Sequence, residues 1–297
     1  MGECHRHHLP LIACCRQEVQ GMAIFHFSAQ VISRSDGGNA VKAAAYRAGV
    51  RFTCARTGLV FNYTRKTEVA HRAIVAPEGS PAWVFDRLAL WNQAEAIESR
   101  ANSQLAREVE ISLPIELTHA QHVALLHGYV QEQFVSQGMV ADIALHAKTG
   151  NPHAHILLTL RDVQADGFGG KRRDWNSPAM VTRWRAAWAK ACNAALEQAG
   201  HAQRIDHRSH AERGIDLPPT VHQGRSTHAN AEGWIARAEF NAWVQTQVEL
   251  AKLRAQVECV QSQIVDLTST LAQALAERDA LTGLYNRNRY IERLEAY

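Results

Sequence analysis

The chain has 297 residues, of which 46% are hydrophobic and 21% charged, and its formal net charge at pH 7 is only +3. This composition predicts a soluble protein with one large or two small domains, and no run reaches the roughly 18 apolar residues of a membrane span. The six cysteines include no CxxC pair, which argues against a zinc ribbon and a disulfide scaffold.

The N-terminal segment does not read as part of the folded unit. Residues 1–21 contain a short apolar stretch, LPLIACC, but Arg16 and Glu18 follow it where a signal peptide would have small residues. Met22 opens a cleaner pattern, so residues 1–21 are interpreted as a non-native or disordered extension. Without a signal peptide or a membrane span, we expect the protein to be cytoplasmic.

The elements between Met22 and Gly138 alternate between strands and helices. Runs of β-branched and aromatic residues, or clean alternation, predict strands over 24–32 (IFHFSAQVI), within 57–64 (TGLVFNYT) and over 107–114 (REVEISLP). Amphipathic patterns and helix formers predict helices over 39–50, 81–105 and 118–138. Asn39 and Thr118 are the expected N-caps.

The second half of the chain begins with a predicted hairpin. Its strands, 139–147 (MVADIALHA) and 153–161 (HAHILLTLR), are joined by the strong turn sequence KTGNP. The polar stretch DVQADGFGGKRRDWNSP is predicted to be a loop, and a helix follows over 178–199. Beyond residue 229 the pattern is continuously helical, and its leucines and valines between 248 and 281 are typical of a coiled coil.

These elements predict the fold class and the domain boundaries. Strands interleaved with helices, with a hairpin among them, favour an α+β fold in which helices flank a central, mainly antiparallel sheet. The expected boundaries are a folded domain over 22–228, a long amphipathic helix over 229–282 and a short tail over 283–297.

Three histidines of the predicted hairpin, His146, His153 and His155, lie close together in sequence. Residues two apart in a strand point to the same face, so His153 and His155 project together, with Ala154 behind them. The turn at 148–151 folds the chain back so that His146 can join them, and three converging imidazoles are a common ligand set for a divalent metal. The alternative is that each is an ordinary hairpin residue at the surface.

Two further features bear on this choice. Glu108 and Glu110 share one face of the predicted strand 107–114, where they could orient the imidazoles, although paired glutamates are also a common solvated face. Tyr46 lies among alanines and cations in AAAYRAG, where a phenol could approach a phosphodiester. An ordinary half-buried tyrosine would fit the same pattern.

Four segments of the chain resemble one protein family. They are MAIFHFSAQVISRSDGGNAVKAAAYRAG, REVEISLP, HAKTGNPHAHILLTLR and RIDHRSHAERGID, and they look like the MobA/MobL-type relaxases of mobilisable and conjugative plasmids. The resemblance spans roughly residues 22–225. In rolling-circle replication initiators with similar histidine motifs the tyrosine follows the histidines, whereas Tyr46 precedes His146 here.

The resemblance implies a HUH-type relaxase, which nicks and rejoins one DNA strand through a 5′-phosphotyrosyl intermediate. It implies Tyr46 as the nucleophile, the three histidines as ligands of Mn²⁺ or Mg²⁺, and less defined catalytic roles for Glu108 and Glu110. It also makes Met22 the expected native start. The candidates for contact with DNA are the basic residues Arg34, Lys42, Arg47, Arg51, Lys171, Arg172 and Arg173.

The implied partners are single-stranded DNA at an origin of transfer, accessory relaxosome proteins and a coupling protein, and the long helix is compatible with a dimer. Two other functions stay open: a rolling-circle replication initiator, for which Tyr63 would be the nearest second tyrosine, and a non-catalytic plasmid DNA-binding protein. The tail RDALTGLYNRNRYIERL resembles the opening helix of diguanylate cyclase domains. No cyclase activity is expected, because no cyclase active-site loop follows.

Overall fold

The computed structural model describes residues 25–214, 216–221 and 230–282, which fall into two compact units that divide between His207 and Arg208. The strands, all in the first unit, are β1 (Phe27–Ser33), β2 (Arg51–Thr53), β3 (Val60–Asn62), β4 (Val69–Val75), β5 (Gln104–Ser112), β6 (Ala141–Lys148), β7 (Asn151–Leu158), β8 (Arg161–Gln164) and β9 (Gly167–Lys171). The α-helices of this unit are α1 (Ala40–Ala48), α2 (Arg87–Ile97), α3 (His119–Gln133) and α4 (Pro178–Gln198). The second unit contains α5 (Ala231–Thr282).

A five-stranded antiparallel sheet in the order β1-β5-β7-β6-β4 forms the centre of the first unit. Side chains alternate between its faces. On one face Ile156 and Leu158 of β7 pack in a hydrophobic cluster with α3 and α4, while on the other Leu157 packs with α1 and α2. His153 and His155 share the face of Leu157. The fold therefore places the histidines of β7 on the side of the sheet that α1 covers.

The predicted α+β class with a mainly antiparallel sheet is confirmed, as are the helices expected near 39–50, 118–138 and 178–199. Asn39 caps α1, because its side chain accepts a hydrogen bond from the backbone N–H of Lys42. Thr118 begins α3 with a capping box, in which its side chain and that of Gln121 satisfy each other's backbone N–H groups. These caps are local signals, so sequence alone was sufficient to predict them.

The helix predicted over 81–105 is wrong at both ends. The helix α2 begins only after Asp86, whose carboxylate accepts hydrogen bonds from the N–H groups of Leu88 and Ala89. It ends at Ile97, and the residues from Gln104 onward belong to β5, which pairs with both β1 and β7. Residues 98–103 connect the two elements outside any helix or strand, and the pairing of Gln104 with Ser33 of β1 begins the strand.

The predicted loop after residue 161 and a region without any predicted element both contain strands. The strand β4 was not predicted, because it lies at the edge of the sheet and a register shift between Val69 and His71 breaks its alternation. The stretch predicted as a loop after residue 161 contains the hairpin of β8 and β9, whose glycines conceal a strand pattern. Phe168 anchors this hairpin by an edge-on contact with Trp83, 5.4 Å between ring centroids.

A buried carboxylate joins α1 and α2. Glu95 is fully buried, and its carboxylate accepts hydrogen bonds from the backbone N–H of Ala40 (2.7 Å), from Arg34 (2.9 Å) and from Arg56 (3.0 Å). The carboxylate therefore accepts a hydrogen bond from a backbone N–H at the N-terminus of α1 and also forms ion pairs with two arginines. Arg34, a candidate for DNA contact, is thereby engaged inside the protein.

Replacing Glu95 with alanine is expected to lower the free energy of unfolding by about 3–5 kcal/mol, because it leaves the Arg34 guanidinium and the Ala40 N–H buried without this partner. Urea denaturation followed by circular dichroism measures the change. Arg56→Ala is the matched control and should cost less than about 1 kcal/mol, because the Arg56 side chain is 39% exposed. Equal losses in the two variants would contradict this account of the cluster.

The second unit is dominated by α5, a continuous helix of 52 residues, and the predicted long helix is confirmed. None of the helices in the described ranges is long and apolar enough to cross a membrane. The proposed extension 1–21, the start at Met22 and the tail resembling a cyclase helix lie outside the described residues, apart from the first residues of the tail, which end α5.

Candidate active site

The three histidines of the β6–β7 hairpin converge on one face of the sheet. His146 lies directly opposite His153 in the strand register, and His155 follows two residues along β7. The ring centroids are 4.8–5.2 Å apart, and one potential ligand atom from each residue lies within 4.8 Å of the others. The register depends on a two-residue turn in which Gly150 adopts φ 72°, a conformation that favours glycine.

Each of the three rings has one nitrogen engaged with an acceptor. His146 Nε2 donates to the carbonyl of Arg47 (2.8 Å), His153 Nδ1 to the carbonyl of Asn151 (2.9 Å), and His155 Nδ1 to the carboxylate of Glu108 (2.9 Å). The other nitrogen of each neutral ring then carries a lone pair. Three such nitrogens can be the ligands of one cation.

Burial favours the neutral form of two of these imidazoles, those of His146 and His153. It lowers the pKa of His146 to about 4, outweighing the opposing hydrogen bond to Arg47, and it also lowers the pKa of His153. A metal ligand must be unprotonated, and the lowered pKa values of His146 and His153 reduce the competition between protons and a metal ion for these two rings. The donor set therefore fits a divalent cation that accepts nitrogen ligands.

Glu108 orients the His155 ring. Its buried carboxylate accepts hydrogen bonds from His155, from Gln30 Nε2 (2.6 Å) and from the Arg47 guanidinium. Burial raises the pKa of Glu108, but the hydrogen bonds from His155 and Arg47 and the Arg47 charge outweigh it and lower the pKa to about 2. The carboxylate therefore stays ionised, as a partner that fixes a ligating imidazole requires. Glu110 is half-buried and lies opposite His155 in the register of β5 and β7.

Tyr46 lies at the edge of this site, in the last turn of α1. The neighbouring residue Arg47 receives the hydrogen bond of His146, which joins the helix that carries the tyrosine to the histidine cluster. The Tyr46 side chain is 40% exposed, so its phenol is open to a large substrate. The Lys66 ammonium lies 3.7 Å from the centre of its ring, and Tyr63 packs edge-on at 5.1 Å.

Three residues at the site were not among the predicted catalytic or metal-binding residues: Gln30, Tyr63 and Lys66. Gln30 comes from β1, where its cross-strand partner is Glu108, and only sheet register reveals this pairing. Tyr63 and Lys66 follow β3, and the β2–β3 hairpin folds them back onto α1. A close tyrosine pair was the feature expected of replication initiators.

The predicted DNA-contacting cations fall into two groups. Lys42, Arg51 and Arg173 are exposed. The others form intramolecular ion pairs: Arg34 with Glu95, Arg47 with Glu108, Lys171 with Glu98, and Arg172 with Asp162 and Asp174. Contact with DNA stays a prediction for both groups, and the exposed group is better placed for it.

Comparison with known proteins adds independent findings. Residues 38–232 match the MobA/MobL family. Mobilization protein MobL of Acidithiobacillus ferridurans is 41% identical over 303 residues, covering 88% of this chain and 79% of the relative. Conjugal transfer protein TraA of Agrobacterium fabrum is 36% identical over 234 residues, covering 68% of this chain but only 21% of TraA.

A solved structure is also similar to this chain. It is reported as "Molecular Basis of Vancomycin Resistance Transfer in Staphylococcus aureus", and its sequence is 30% identical. The TM-score is 0.60, and the similarity covers 63% of this chain and the whole of the solved one. The fold of the matched part of this chain is therefore shared with the solved protein.

Proposed function

The chain belongs to the MobA/MobL family, and from this premise we propose that it is a DNA relaxase that nicks and rejoins one strand at a plasmid origin of transfer. One observation carries the proposal most strongly. The helix that presents the exposed Tyr46 is hydrogen-bonded through Arg47 to His146 of a three-imidazole cluster. A nucleophile beside a cation-binding site is what phosphodiester transfer requires.

His146, His153 and His155 would hold the cation, and the nitrogen donors suit Mn²⁺ better than Mg²⁺, which prefers oxygen ligands. When bound, the ion would supply positive charge that neutralises a phosphate and polarises its P–O bonds. Glu108 holds the His155 ring in its ligating orientation, and Gln30 and Arg47 hold Glu108. We propose that DNA cleavage requires this cation.

In the proposed reaction the phenolic oxygen of Tyr46 loses its proton and attacks the scissile phosphorus. A bond forms between this oxygen and phosphorus, the bond from phosphorus to the 3′ oxygen breaks, and the 3′ oxygen takes up a proton. Lys66 contributes positive charge beside the phenol ring. The phosphotyrosyl bond retains the energy of the phosphodiester, so the reverse reaction rejoins the strand without ATP.

The substrate would be single-stranded DNA, bound by charge and by stacking of bases. The exposed cation Lys42 lies four residues before Tyr46 in α1, and the exposed Arg51 lies just beyond the C-terminus of this helix. We propose that both contact the DNA backbone. Accessory relaxosome proteins and a coupling protein would act with the relaxase. Because the plasmid lies in the cytoplasm, the proposed reaction takes place there.

The Tyr46–Tyr63 contact is the specific observation that favours the second candidate, a rolling-circle replication initiator. Cleavage assays with Mn²⁺ distinguish the two, using labelled single-stranded oligonucleotides that span the origin of transfer. For a relaxase, Tyr63→Phe should retain both cleavage and rejoining, whereas an initiator that transfers strands between two tyrosines should lose the second transfer. A protein that only binds DNA would form no covalent adduct, either as the wild type or as a variant.

We propose that the domains are a relaxase domain over 22–228 and an oligomerisation helix over 229–282. The apolar residues of α5 alternate at spacings of three and four, which is a heptad a/d pattern. These exposed residues are Leu250, Leu253, Val257, Val260, Ile264, Leu267 and Leu271. Val257 and Ile264 occupy a positions and Leu267 a d position, the combination that favours a two-stranded coil.

Ile264→Lys is expected to convert a dimer of the full chain to a monomer at about 10 µM, because it places two charges in the apolar seam. Light scattering coupled to size-exclusion chromatography measures the molar mass. Ser269→Lys introduces the same charge at an outward heptad position and should leave the dimer intact. A wild-type chain that elutes as a monomer would refute the proposed coiled coil.

A further inference from the structure

A pair of histidines lies on the opposite face of the sheet from the three-histidine cluster of the candidate active site. His71 of β4 and His127 of α3 face each other with their Nε2 atoms 3.0 Å apart, and their ring centroids are 5.2 Å apart at 60°. In the strand register His71 lies opposite Leu145, which belongs to the hydrophobic cluster under α3 and α4. His146 points to the other face, so this pair is separate from the cluster around it.

The two rings present converging nitrogens at a distance that suits a shared ligand. Two nitrogens bound to one tetrahedral Zn²⁺, each at about 2.0–2.1 Å, lie about 3.3 Å apart. The observed 3.0 Å therefore needs to expand by only a few tenths of an ångström. Both side chains are half-buried, and burial together with the charges of His127 and His119 lowers the pKa of His71, which keeps its ring available as a neutral ligand.

We infer that His71 and His127 form a second metal site, which binds a borderline transition cation such as Zn²⁺ or Ni²⁺ and clamps β4 to α3. Imidazole nitrogens are suitable ligands for these ions, and water would occupy the remaining coordination positions. In the absence of metal, the same two atoms form one hydrogen bond, in which one ring donates and the other accepts.

The position of the pair gives the clamp a structural consequence. The strand β4 is an edge strand with a register shift between Val69 and His71, and Val69 lies opposite His146. A cation that joins His71 to α3 therefore fixes the irregular edge strand beside the candidate active site. Because the metal would bind only the folded protein, it should also raise the thermal stability.

The test uses the full chain, freed of metal by chelation and titrated with Zn²⁺ alone. We expect His127→Gln to bind one equivalent of zinc fewer than the wild type, since glutamine can keep a hydrogen bond to His71 but lacks the ring nitrogen. We also expect saturating zinc to raise the melting temperature of the wild type by roughly 5 °C more than that of the variant. His119→Gln removes an exposed histidine of the same helix whose ring is outside the facing pair, and it should keep the zinc stoichiometry of the wild type.

Equal zinc stoichiometry and equal thermal shifts in the wild type and His127→Gln would overturn the inference. Long-range ¹H–¹⁵N spectra of the histidine rings give a second measurement on the wild type, which does not depend on how well the variant folds. The inference requires zinc to move the Nε2 resonances of His71 and His127. Resonances of these two atoms that stay at their metal-free positions would also overturn it, whatever the activity of the protein on DNA.

Discussion

Replacing Tyr46 with phenylalanine is expected to eliminate the covalent protein–DNA adduct and to lower strand cleavage by more than about 10⁴-fold. The substitution removes only the phenolic oxygen, which is the proposed nucleophile. The phenyl ring can still pack against Tyr63 and receive the Lys66 ammonium. Cleavage of a labelled single-stranded oligonucleotide, followed on denaturing gels, measures both the rate and the adduct that survives detergent.

Tyr63→Phe provides the matched control for this experiment. Its ring contacts that of Tyr46, so it reports any effect of disturbing the aromatic pair without removing the proposed nucleophile. Affinity for an uncleavable oligonucleotide should be unchanged in both variants. An adduct of full yield from Tyr46→Phe would exclude Tyr46 as the nucleophile, and loss of the adduct only in Tyr63→Phe would transfer the role to Tyr63.

Replacing His153 with alanine is expected to weaken Mn²⁺ binding by at least about 100-fold and to reduce cleavage in parallel. It removes one of three convergent nitrogens, a larger change than the loss of an outer hydrogen bond to a ligand. His153 is half-buried and donates to Asn151, only two residues away, so its loss should leave the unfolding midpoint nearly unchanged. Calorimetric titration with Mn²⁺ measures the affinity.

His119→Ala is the control for this second prediction, because His119 is an exposed histidine of α3 outside the hairpin that carries the cluster. It should retain wild-type Mn²⁺ affinity and cleavage. Excess Mn²⁺ should partly restore the activity of His153→Ala if the defect lies in binding the ion. Undiminished Mn²⁺ affinity in that variant would remove His153 from the ligand set.

The histidine hairpin could be predicted from sequence because its geometry is local. The turn sequence KTGNP specifies the register, and strand alternation places His153 and His155 on one face. Alternation likewise places Glu108 and Glu110 on one face of β5. The hydrogen bond between Glu108 and His155 required only that β5 and β7 be neighbours.

The features that sequence did not predict depend on contacts between distant residues. Lys66 reaches Tyr46 only because β2 and β3 fold back, and Arg34 is indistinguishable in sequence from a DNA-binding cation until Glu95 is seen beside it. The edge strand β4 has an interrupted alternation, and the stretch 98–105, whose composition favours helix, forms a turn and the start of β5. In each case the structure depends on contacts between residues that are far apart in sequence.

The identity of the residue that becomes joined to DNA tests the central claim most directly. The adduct formed by the full chain can be digested with trypsin and nuclease and its modified peptide identified by tandem mass spectrometry. The proposed mechanism predicts a residual nucleotide on Tyr46, within the tryptic peptide AAAYR that follows Lys42. A nucleotide found instead on TGLVFNYTR, which contains Tyr63, or on any other peptide would contradict it.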